Sequence, residues 1–347
     1  MTKPIIEQFF RDRTVLVTGA CGTVGSACLR HLQQTAACQI LGIDNNESAL
    51  FELANAFDDT RIQLLLGDVR DRDQLLERLR GVDIVLHTAA FKHVGTCEGS
   101  PRDAVSTNVL GTQNLIDAAR HADVGHVLFT SSDKAVNPTS VMGTSKLLGE
   151  RLITAAASQH NGTGPVFAAT RFGNVLGSNG SVVPIFARQI AAGGPITLTD
   201  RAMNRFVMTI DEAVDLVLET VARAQGGEIF VTKMHAIGIE GLAEAMRDLL
   251  APRYGYAREA VKITETGARA GEKFYEELIS GEEVRRVLDV DAFYVILPAL
   301  ARSTEDEIAR HHGAQVALQM PEGYRSDGVE HLKGHSLKQY LIERAIV

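Results

Sequence analysis

The sequence has no tryptophan, few aromatic residues and only four cysteines among its 347 residues. Cys21, Cys28, Cys38 and Cys97 form neither a CxxC pair nor a zinc-ligand spacing, which predicts reduced thiols and no metal site. No apolar run reaches the length of a membrane-spanning helix, and residues 1–13 do not resemble a signal peptide. We therefore expect a cytoplasmic protein that has no membrane partner.

Positive charge is also scarce, because 35 lysines and arginines face 43 acidic residues and leave a net charge of −8. Binding to nucleic acid needs a basic surface that displaces counterions from phosphates, so no nucleic-acid partner is expected. An anionic nucleotide ligand would have to be held by a few local cations and by helix N-termini. The length suits one large domain and a smaller one.

Short apolar runs alternate with segments of helical periodicity over the first half of the chain. Strands that are apolar almost throughout and are separated by helices predict a parallel sheet covered on both faces. With right-handed crossovers this is a doubly wound α/β sheet, a Rossmann fold, whose ligand lies at the carboxyl ends of the strands. The predicted strands are Thr14–Thr18, Gln39–Asp44, Arg61–Leu66, Val82–His87, His126–Thr130 and Val166–Thr170, and the predicted helices are Val24–Gln34, Ser48–Phe57, Arg72–Leu79, Pro101–His121 and Val141–Ser158.

The alternation ends near Gly173, where glycines and prolines become frequent. A smaller, irregular α/β lobe is predicted from there, and a helix at Asp211–Arg223 is expected to return to the first domain. The predicted division is a Rossmann domain of residues 1–172 to which 205–232 return, a smaller lobe of 173–204 and 233–301, and a C-terminal extension of 302–347.

A glycine-rich loop follows the first predicted strand, in the segment TVLVTGACGTVG. Its glycines allow a tight turn, let backbone amides approach a pyrophosphate and let the next helix pack closely. An aspartate at the end of the second predicted strand would bind both ribose hydroxyls of NAD and repel the 2′-phosphate of NADP. An ordinary glycine turn is the alternative. The NAD-binding residues predicted here are Gly19, Gly22, Thr23, Val24, Gly25 and Asp44.

Further candidate cofactor residues follow the third and fourth predicted strands. Asp68 and Val69 would hold an adenine, and the small side chains of Ala89 and Ala90 would leave room for a nicotinamide. Asn108 lies within a predicted helix, whose interior disfavours asparagine. It is therefore either a tolerated surface residue or a polar bridge that supports the site.

Polar groups gather after the fifth predicted strand, in the segment SSDK at 131–134. Two hydroxyls, a carboxylate and an amine at a strand end are suited to proton transfer. Lys146 lies on the following predicted helix and shares a face with Met142, four residues earlier. Taken singly, Asp133 could be a helix cap and the lysines could be solvated charges; together they favour a catalytic site.

These segments resemble the extended short-chain dehydrogenases/reductases. More narrowly, they resemble the polysaccharide-biosynthesis nucleotide-sugar 4,6-dehydratases that act on UDP-N-acetylglucosamine. The resemblance covers roughly residues 14–298. Besides the glycine loop, it rests on AAFKHV (89–94), TNVLGT (107–112), SSDKAVNPTSVMGTSK (131–146), RFGNVLGSNGSVVPIF (171–186), NRFVMTI (204–210) and RAGEKFYEEL (269–278).

The resemblance implies a redox-neutral dehydration with tightly held NAD, in which hydride leaves sugar C4, water is eliminated across C5–C6 and hydride returns to C6. Asp133 and Lys134 are the available acid–base pair, and Ser132 is the hydroxyl that would orient O4. We favour Asp133 as the acid at O6 and Lys134 as the base at C5, and the reverse order stays open. Lys146 would bind the nicotinamide ribose. The implied catalytic set is Ser132, Asp133, Lys134, Met142 and Lys146, and the implied UDP-sugar residues of the smaller lobe and its surroundings are Lys92, Asn174, Arg205, Arg269 and Glu272, with Lys92 and Asn108 also beside the cofactor.

Met142 stands where most of the superfamily has a tyrosine, and a thioether cannot remove a proton. A branch of the 4,6-dehydratases carries Met there too and retains the configuration at C5. Two alternatives stay open: a nucleotide-sugar 4-epimerase, and an NAD-binding protein without catalytic activity. The Asp133–Lys134 pair favours elimination, because an epimerase needs no acid at C6. GDP in place of UDP stays possible, and a homodimer or larger oligomer is expected because helices of this fold commonly pair across a two-fold axis.

Overall fold

The computed structural model describes residues 3–159, 164–178, 180–267, 271–290, 292–299 and 322–347. The strands are β1 (Thr14–Thr18), β2 (Gln39–Asp44), β3 (Ile62–Leu66), β4 (Ile84–His87), β5 (His126–Thr130), β6 (Val166–Arg171), β7 (Asn174–Val175), β8 (Ile196–Leu198), β9 (Asn204–Met208), β10 (Ile229–Thr232), β11 (His235–Gly238), β12 (Ile263–Glu265), β13 (Glu277–Ile279), β14 (Val287–Val290), β15 (Phe293–Ile296) and β16 (Tyr324–Arg325).

The α-helices of the described ranges alternate with these strands. They are α1 (Lys3–Phe10), α2 (Thr23–Leu32), α3 (Glu47–Ala54), α4 (Arg72–Arg78), α5 (Val94–Gly99), α6 (Pro101–Ala104), α7 (Gly111–His121), α8 (Val141–Ser158), α9 (Val182–Ala191), α10 (Ile210–Arg223), α11 (Ile239–Leu250) and α12 (Gly334–Glu343). Within these ranges no helix is both long enough and apolar enough to cross a membrane.

A nine-stranded sheet lies at the centre, in the order β14-β15-β10-β6-β5-β4-β1-β2-β3. From β3 to β10 every neighbouring pair is parallel, whereas β15 and β14 continue the sheet in antiparallel fashion. The order reverses between β1 and β4, which opens a crevice at the carboxyl ends of these strands. The predicted doubly wound α/β fold is confirmed.

Most predicted elements are confirmed to within a few residues, and β1, β2, β5 and α8 have the predicted bounds. One predicted helix is more irregular than expected. Pro101–His121 consists of α6, a π-helix at Val105–Leu110 and α7. The wider π turn carries Asn108, whose side chain is 1% exposed and bonds outside its own helix.

Helix α10 packs against α2 and against β5 and β6 of the large sheet. A capping box of Thr209 and Glu212 begins the helix by satisfying two backbone N–H groups. Its apolar face, including Val214 and Val217, shares a core cluster with Leu29 of α2. The burial of this face fixes α10 on the same side of the sheet as α2.

A smaller lobe is built from three short sheets, β11-β9-β7, β12-β8 and β13-β16. Its separate core joins α9, α11 and α12 through residues such as Phe186, Leu242 and Leu337. One boundary differs from the prediction, because β14 and β15 lie in the large sheet although 233–301 was assigned to the lobe. The edge of β10 explains this, since its backbone groups pair with β15 in the register Phe230 to Val295. The remaining domain division stays a prediction.

Candidate active site

The glycine loop joins β1 to α2 with almost no space for side chains. Gly19 has a φ of +67°, and a Cβ atom there would lie 2.7 Å from the Ala89 Cα atom. A Cβ atom on Gly25 would lie 2.1 Å from the carbonyl oxygen of Gly19. Because neither backbone can withdraw, both positions require glycine. The N-terminus of α2, with Thr23 and Val24 in its first turn, opens at this loop and is suited to a pyrophosphate.

Asp44 lies at the end of β2 and faces the same loop. Its Oδ2 atom accepts a 3.0 Å hydrogen bond from the backbone N–H of Cys21, and its Oδ1 atom accepts one of 3.0 Å from Asn46. These bonds hold the carboxylate in place while leaving further lone pairs on both oxygens. The loop and this carboxylate together fit the pyrophosphate and ribose of NAD.

Asp68 and Val69, which are predicted to hold the adenine, follow β3. In the structure both side chains contact other residues of the chain. Asp68 forms a 2.5 Å ion pair with Arg70, whose hydrogen bonds lower the pKa of this carboxyl to about 2. Val69 is buried, and its methyl group would lie 2.7 Å from a Cβ atom on Gly111 of α7. Their contact with an adenine stays a prediction.

Asn108 bridges the loop after β4 to α8. Its side-chain oxygen accepts from the backbone N–H of Phe91 at 2.8 Å, and its amide donates to the Phe91 carbonyl and to the Ser145 hydroxyl. The bridge fixes the loop that carries Ala89, Ala90 and Lys92. Asn108 is therefore not a surface residue, and its hydrogen bonds are those of the polar bridge that was the second interpretation.

Lys146 is buried beneath the end of β5. Its ammonium donates to the Thr130 carbonyl at 2.9 Å and lies 4.8 Å from the centre of the Phe129 ring. Burial lowers the pKa of Lys146 to about 8, although Glu150, one turn further along α8, acts in the opposite direction. This amine is therefore a positive charge near neutral pH that is easily discharged in mild base.

Met142 packs into a small apolar cluster with Cys97 and Ala104 and is 3% exposed. Its backbone carbonyl accepts a hydrogen bond from the Ser145 hydroxyl. The position that holds a tyrosine in most of the superfamily is thus occupied here by a packed side chain that carries no proton.

Ser132, Asp133 and Lys134 form a hydrogen-bonded group at the end of β5. The Ser132 hydroxyl donates to the Asp133 Oδ1 atom, which also lies 3.0 Å from the Lys134 ammonium. Asp133 is fully buried, and its Oδ2 atom has no hydrogen-bond partner among the described residues. The Lys134 ammonium also donates to the Asn174 side-chain oxygen at 3.3 Å.

Glu276 completes this group and was not among the predicted site residues. Its Oε1 atom lies 3.5 Å from the Lys134 ammonium and 3.6 Å from the Arg205 Nε atom. Burial raises the pKa of Glu276, and the nearby Asp133 raises it further. For Lys134, burial acts to lower the pKa, but Asp133 and Glu276 outweigh it and raise the pKa above its ordinary value. Glu276 lies within the RAGEKFYEEL segment, and an acidic residue directly before an apolar strand was the available signal.

Lys134 and Glu276 of this group line a polar cavity of about 580 Å³ between the large sheet and the smaller lobe. One Glu272 carboxylate oxygen is buried there without a hydrogen-bond partner in the described part of the chain. Predicted Arg269 lies outside the described residues. The cavity brings together the other predicted substrate residues with two acid–base residues: Lys92, Asn174, Arg205, Glu272, Lys134 and Glu276.

A doubly wound sheet with this glycine loop, this aspartate and a Ser-Asp-Lys group beside a polar cavity defines an extended short-chain dehydrogenase/reductase. Residues 15–298 match the family described as polysaccharide biosynthesis protein, and the chain belongs to that family.

Two relatives share most of the chain. An uncharacterized membrane protein of Methanocaldococcus jannaschii is 45% identical over 293 residues, which are 84% of this chain and 88% of that protein. A UDP-glucose 4-epimerase of Rickettsia massiliae is 39% identical over 291 residues, which are 83% of each chain.

Two solved structures have the same fold. The X-ray structure of Pen from Bacillus thuringiensis has a TM-score of 0.89 and 36% identity, covering 98% of this chain and 99% of that one. The dTDP-glucose 4,6-dehydratase DesIV of Streptomyces venezuelae, solved with NAD and TYD bound, has a TM-score of 0.67 and 25% identity, covering 86% of this chain and 96% of that one.

Proposed function

We propose that this protein is a nucleotide-sugar 4,6-dehydratase that converts UDP-N-acetylglucosamine to a UDP-4-keto-6-deoxy sugar. The chain is an NAD-dependent enzyme that modifies a nucleotide sugar. The observation that supports dehydration is the Asp133–Lys134 pair, in which the fully buried carboxylate lies 3.0 Å from an ammonium that lines the cavity. Elimination of water needs both an acid and a base, whereas the exchange of hydride at C4 alone does not need the acid at C6.

The cofactor is NAD, as in the related DesIV structure. When bound, NAD accepts the C4 hydride and returns a hydride to C6. In the proposal the α2 N-terminus and the glycine loop hold its pyrophosphate, and Asp44 holds a ribose. The buried Lys146 contributes positive potential near the nicotinamide ribose.

The acid–base residues close a proton cycle in this mechanism. The proton of the C4 hydroxyl passes through the Ser132 hydroxyl to Asp133, which then gives it to O6 as that oxygen leaves as water. Neutral Lys134 removes the C5 proton and returns it to C5 when hydride arrives at C6. The balance is the loss of one water, with Asp133 and Lys134 restored. Removal and return by one amine on one face predict retention at C5.

In the proposal, local cations hold the nucleotide diphosphate against the negative net charge of the chain. Arg205 lies in the cavity with its guanidinium already oriented by the carbonyls of Asn204 and Phe274. Lys92 and Asn174 line the same cavity. The Glu272 oxygen that has no hydrogen-bond partner among the described residues is suited to a ribose hydroxyl. The planar guanidinium of an arginine suits two phosphate oxygens at once. That Arg269 binds the diphosphate stays a prediction.

A 4-epimerase is the second candidate, and the 39% identity to a UDP-glucose 4-epimerase favours it. It would use the same NAD site and return the hydride to C4. The buried Asp133, whose Oδ2 atom has no hydrogen-bond partner among the described residues, favours the dehydratase. An NAD-binding protein without activity is the third candidate, and the assembled Ser132–Asp133–Lys134 group counts against it.

The decisive experiment is incubation of the purified protein with UDP-N-acetylglucosamine in deuterated water, followed by NMR and mass spectrometry of the sugar. Loss of water with deuterium at C5 supports the dehydratase, and the C5 configuration reports retention or inversion. An intact hexose altered only at C4 would establish the epimerase instead. No change with added NAD, even with GDP- and dTDP-sugars, would leave the non-catalytic protein.

A further inference from the structure

The proposed mechanism requires a neutral Lys134, but the structure holds this amine as an ammonium. Two carboxylates lie within 3.5 Å of it, and together they keep its pKa above the ordinary lysine value. An ammonium has no lone pair with which to remove the C5 proton. The proton of Lys134 must therefore move to another group before the elimination begins.

Asp133 is poorly placed to keep this proton. Its Oδ1 atom already accepts from the Ser132 hydroxyl, from the backbone N–H of Lys134 at 2.9 Å and from the Lys134 ammonium. The proposed cycle also reserves Asp133 for the proton that travels from O4 to O6. If Asp133 held the proton of Lys134, it could not accept the proton of the C4 hydroxyl. If it did not hold that proton, Lys134 would stay protonated.

Among the described residues, the Glu276 oxygen that faces Lys134 accepts no hydrogen bond from a hydroxyl or a backbone N–H, unlike the Asp133 Oδ1 atom. Glu276 is 2% exposed, its Oε1 atom faces Lys134 and Arg205, and its Oε2 atom has no hydrogen-bond partner within the described ranges. The charged groups that face it are Lys134, Asp133, Arg205 and, at longer range, Lys273. Three cations and one other carboxylate therefore set its protonation.

We propose that Glu276 takes a proton from the Lys134 ammonium when substrate fills the cavity, which leaves Lys134 as the neutral amine that acts at C5. This inference rests on the proposed dehydratase function. In the transfer one N–H bond of the ammonium breaks and one O–H bond forms on Glu276, so an ion pair becomes a neutral amine and a neutral acid. No electron and no further reactant is needed.

Substrate binding supplies the driving force for this transfer. In the structure 26% of the Lys134 side chain is exposed through the cavity, so water stabilises its charge. A bound sugar covers that opening and removes the hydration, which disfavours both charged forms. Burial already favours protonated Glu276, and further desolvation extends the same effect.

Glu276 is rigidly placed by its backbone. Its N–H donates to the Ser326 hydroxyl at 2.8 Å, and its carbonyl accepts from the Ser326 N–H at 2.9 Å. Two residues further on, the Leu278 carbonyl accepts from the guanidinium of buried Arg171 at 3.1 Å. The carboxyl is thereby held at a fixed distance from Lys134, as a proton acceptor requires.

The test compares Glu276→Gln and Glu276→Asp with a matched control, Glu277→Gln. Gln keeps the size and an acceptor oxygen but cannot take a proton, whereas Asp can take one from a longer distance. Glu277 is the neighbouring buried glutamate, and its partners are Lys273 and Asn137. Circular dichroism and NAD content establish that each variant is folded and loaded.

For Glu276→Gln we expect kcat to fall about 100-fold with KM nearly unchanged, the usual size of an acid–base effect. Deuterium entry at C5 should fall in parallel, while reduced nicotinamide accumulates because C4 oxidation precedes the blocked step. The kcat of this variant should rise steadily with pH as Lys134 loses its proton to solvent, whereas the wild type has a plateau. Glu276→Asp should recover part of the rate, and Glu277→Gln should keep the wild-type pH profile.

A Glu276→Gln variant with wild-type kcat and pH profile would overturn the inference. So would a fall in kcat with an unchanged pH profile, because that result indicates a structural role. These outcomes leave the dehydratase proposal intact as long as the wild type still eliminates water. The dehydratase proposal fails if the wild-type protein does not eliminate water, and that is measured before any variant is compared.

Discussion

Lys134 is the residue on which the proposed chemistry depends most directly, since it contacts Asp133, Asn174 and Glu276 at once. For Lys134→Ala we expect turnover to fall by about 10² to 10⁴, because the base at C5 is lost. Substrate should still bind, since the other cavity residues remain. Steady-state kinetics and calorimetric titration with UDP-N-acetylglucosamine test this, with the exposed Lys262→Ala as control. Wild-type turnover in Lys134→Ala would remove this lysine from the mechanism.

The lowered pKa of Lys146 leads to a prediction about stability and not about turnover. Burial lowers its pKa from 10.5 to about 8, so the folded protein binds fewer protons than the unfolded chain between these pH values. The cost of the buried charge is fully present below pH 8 and disappears as the pH rises toward 10.5. Wild-type stability should therefore gain about 3 kcal/mol across this window.

Urea unfolding of Lys146→Met and wild type at a series of pH values checks this expectation. The free energy of unfolding of the Met variant should lack the gain between pH 8 and 10.5. The free energy of unfolding of the wild type should therefore rise relative to that of the variant across this window. The exposed Lys262→Met should follow the wild type. Parallel curves for wild type and Lys146→Met would contradict the lowered pKa.

At this scale the sequence predicted the local residues better than their partners. Gly19, Gly25 and Asp44 are recognisable because their spacing along the chain is itself the signal. Glu276 is not, because its partner Lys134 lies 142 residues earlier and only the fold brings the two together. The apolar packing of Met142 against Cys97 and Ala104 was likewise invisible, since the sequence shows its type but not its neighbours.

Among the elements, three are joined by a buried ion-pair network. Arg171, at the end of β6, donates to Glu150 of α8 and to Glu283, which follows β13. All three side chains are at most 8% exposed. Since Arg171 also binds the Leu278 carbonyl, the network holds β13 against the large sheet.

Glu283→Gln should weaken this junction in a pH-dependent manner. The hydrogen bonds of Arg171 outweigh burial and hold the pKa of Glu283 at about 2, below its ordinary 4.5. The stabilisation is thus fully present above pH 4.5 and is lost as the pH falls toward 2. We expect the variant to lose about 3 kcal/mol of unfolding free energy at pH 7, a loss that shrinks in acid.

Urea unfolding from pH 7 downward measures this, with the exposed Glu282→Gln as control. A constant difference between wild type and Glu283→Gln at every pH would contradict the lowered pKa.

Element prediction succeeded where periodicity is local. The alternation of strands and helices from β1 to α8 follows from side chains a few residues apart. The hairpin of β14 and β15 was misassigned, because its place at the sheet edge depends on the free edge of β10, some 60 residues earlier. The π-helix at Val105–Leu110 was missed because Phe91 and Ser145, which form hydrogen bonds with the Asn108 side chain, lie outside this helix.

For the molecule as a unit, the segment around β16 connects the C-terminal region to the active site. The buried Ser326 hydroxyl accepts from the Glu276 N–H and donates to the Asn204 side chain, next to Arg205. The Tyr324 hydroxyl bonds the backbone of Met234 at the base of the smaller lobe. The predicted homodimer or larger oligomer stays a prediction.

Ser326→Ala should loosen this connection. It leaves the Glu276 N–H without an acceptor, which costs about 1 to 3 kcal/mol of stability. We expect a smaller version of the Glu276→Gln effect on kcat and C5 deuterium entry, with NAD content unchanged. Thermal unfolding and the deuterium assay measure both, and Ser326→Thr, which keeps the hydroxyl, serves as control. A stability loss without any change in C5 exchange would separate Ser326 from the chemistry.

The match to the polysaccharide biosynthesis family ends at residue 298, yet Ser326 lies beyond it. Glu276 and its partner Lys134 lie inside this match, whereas the hydroxyl that accepts from the Glu276 N–H lies outside it. If the proposed proton transfer holds, a replacement of the tail around Ser326 should change proton traffic at C5 and leave the oxidation at C4 unaffected.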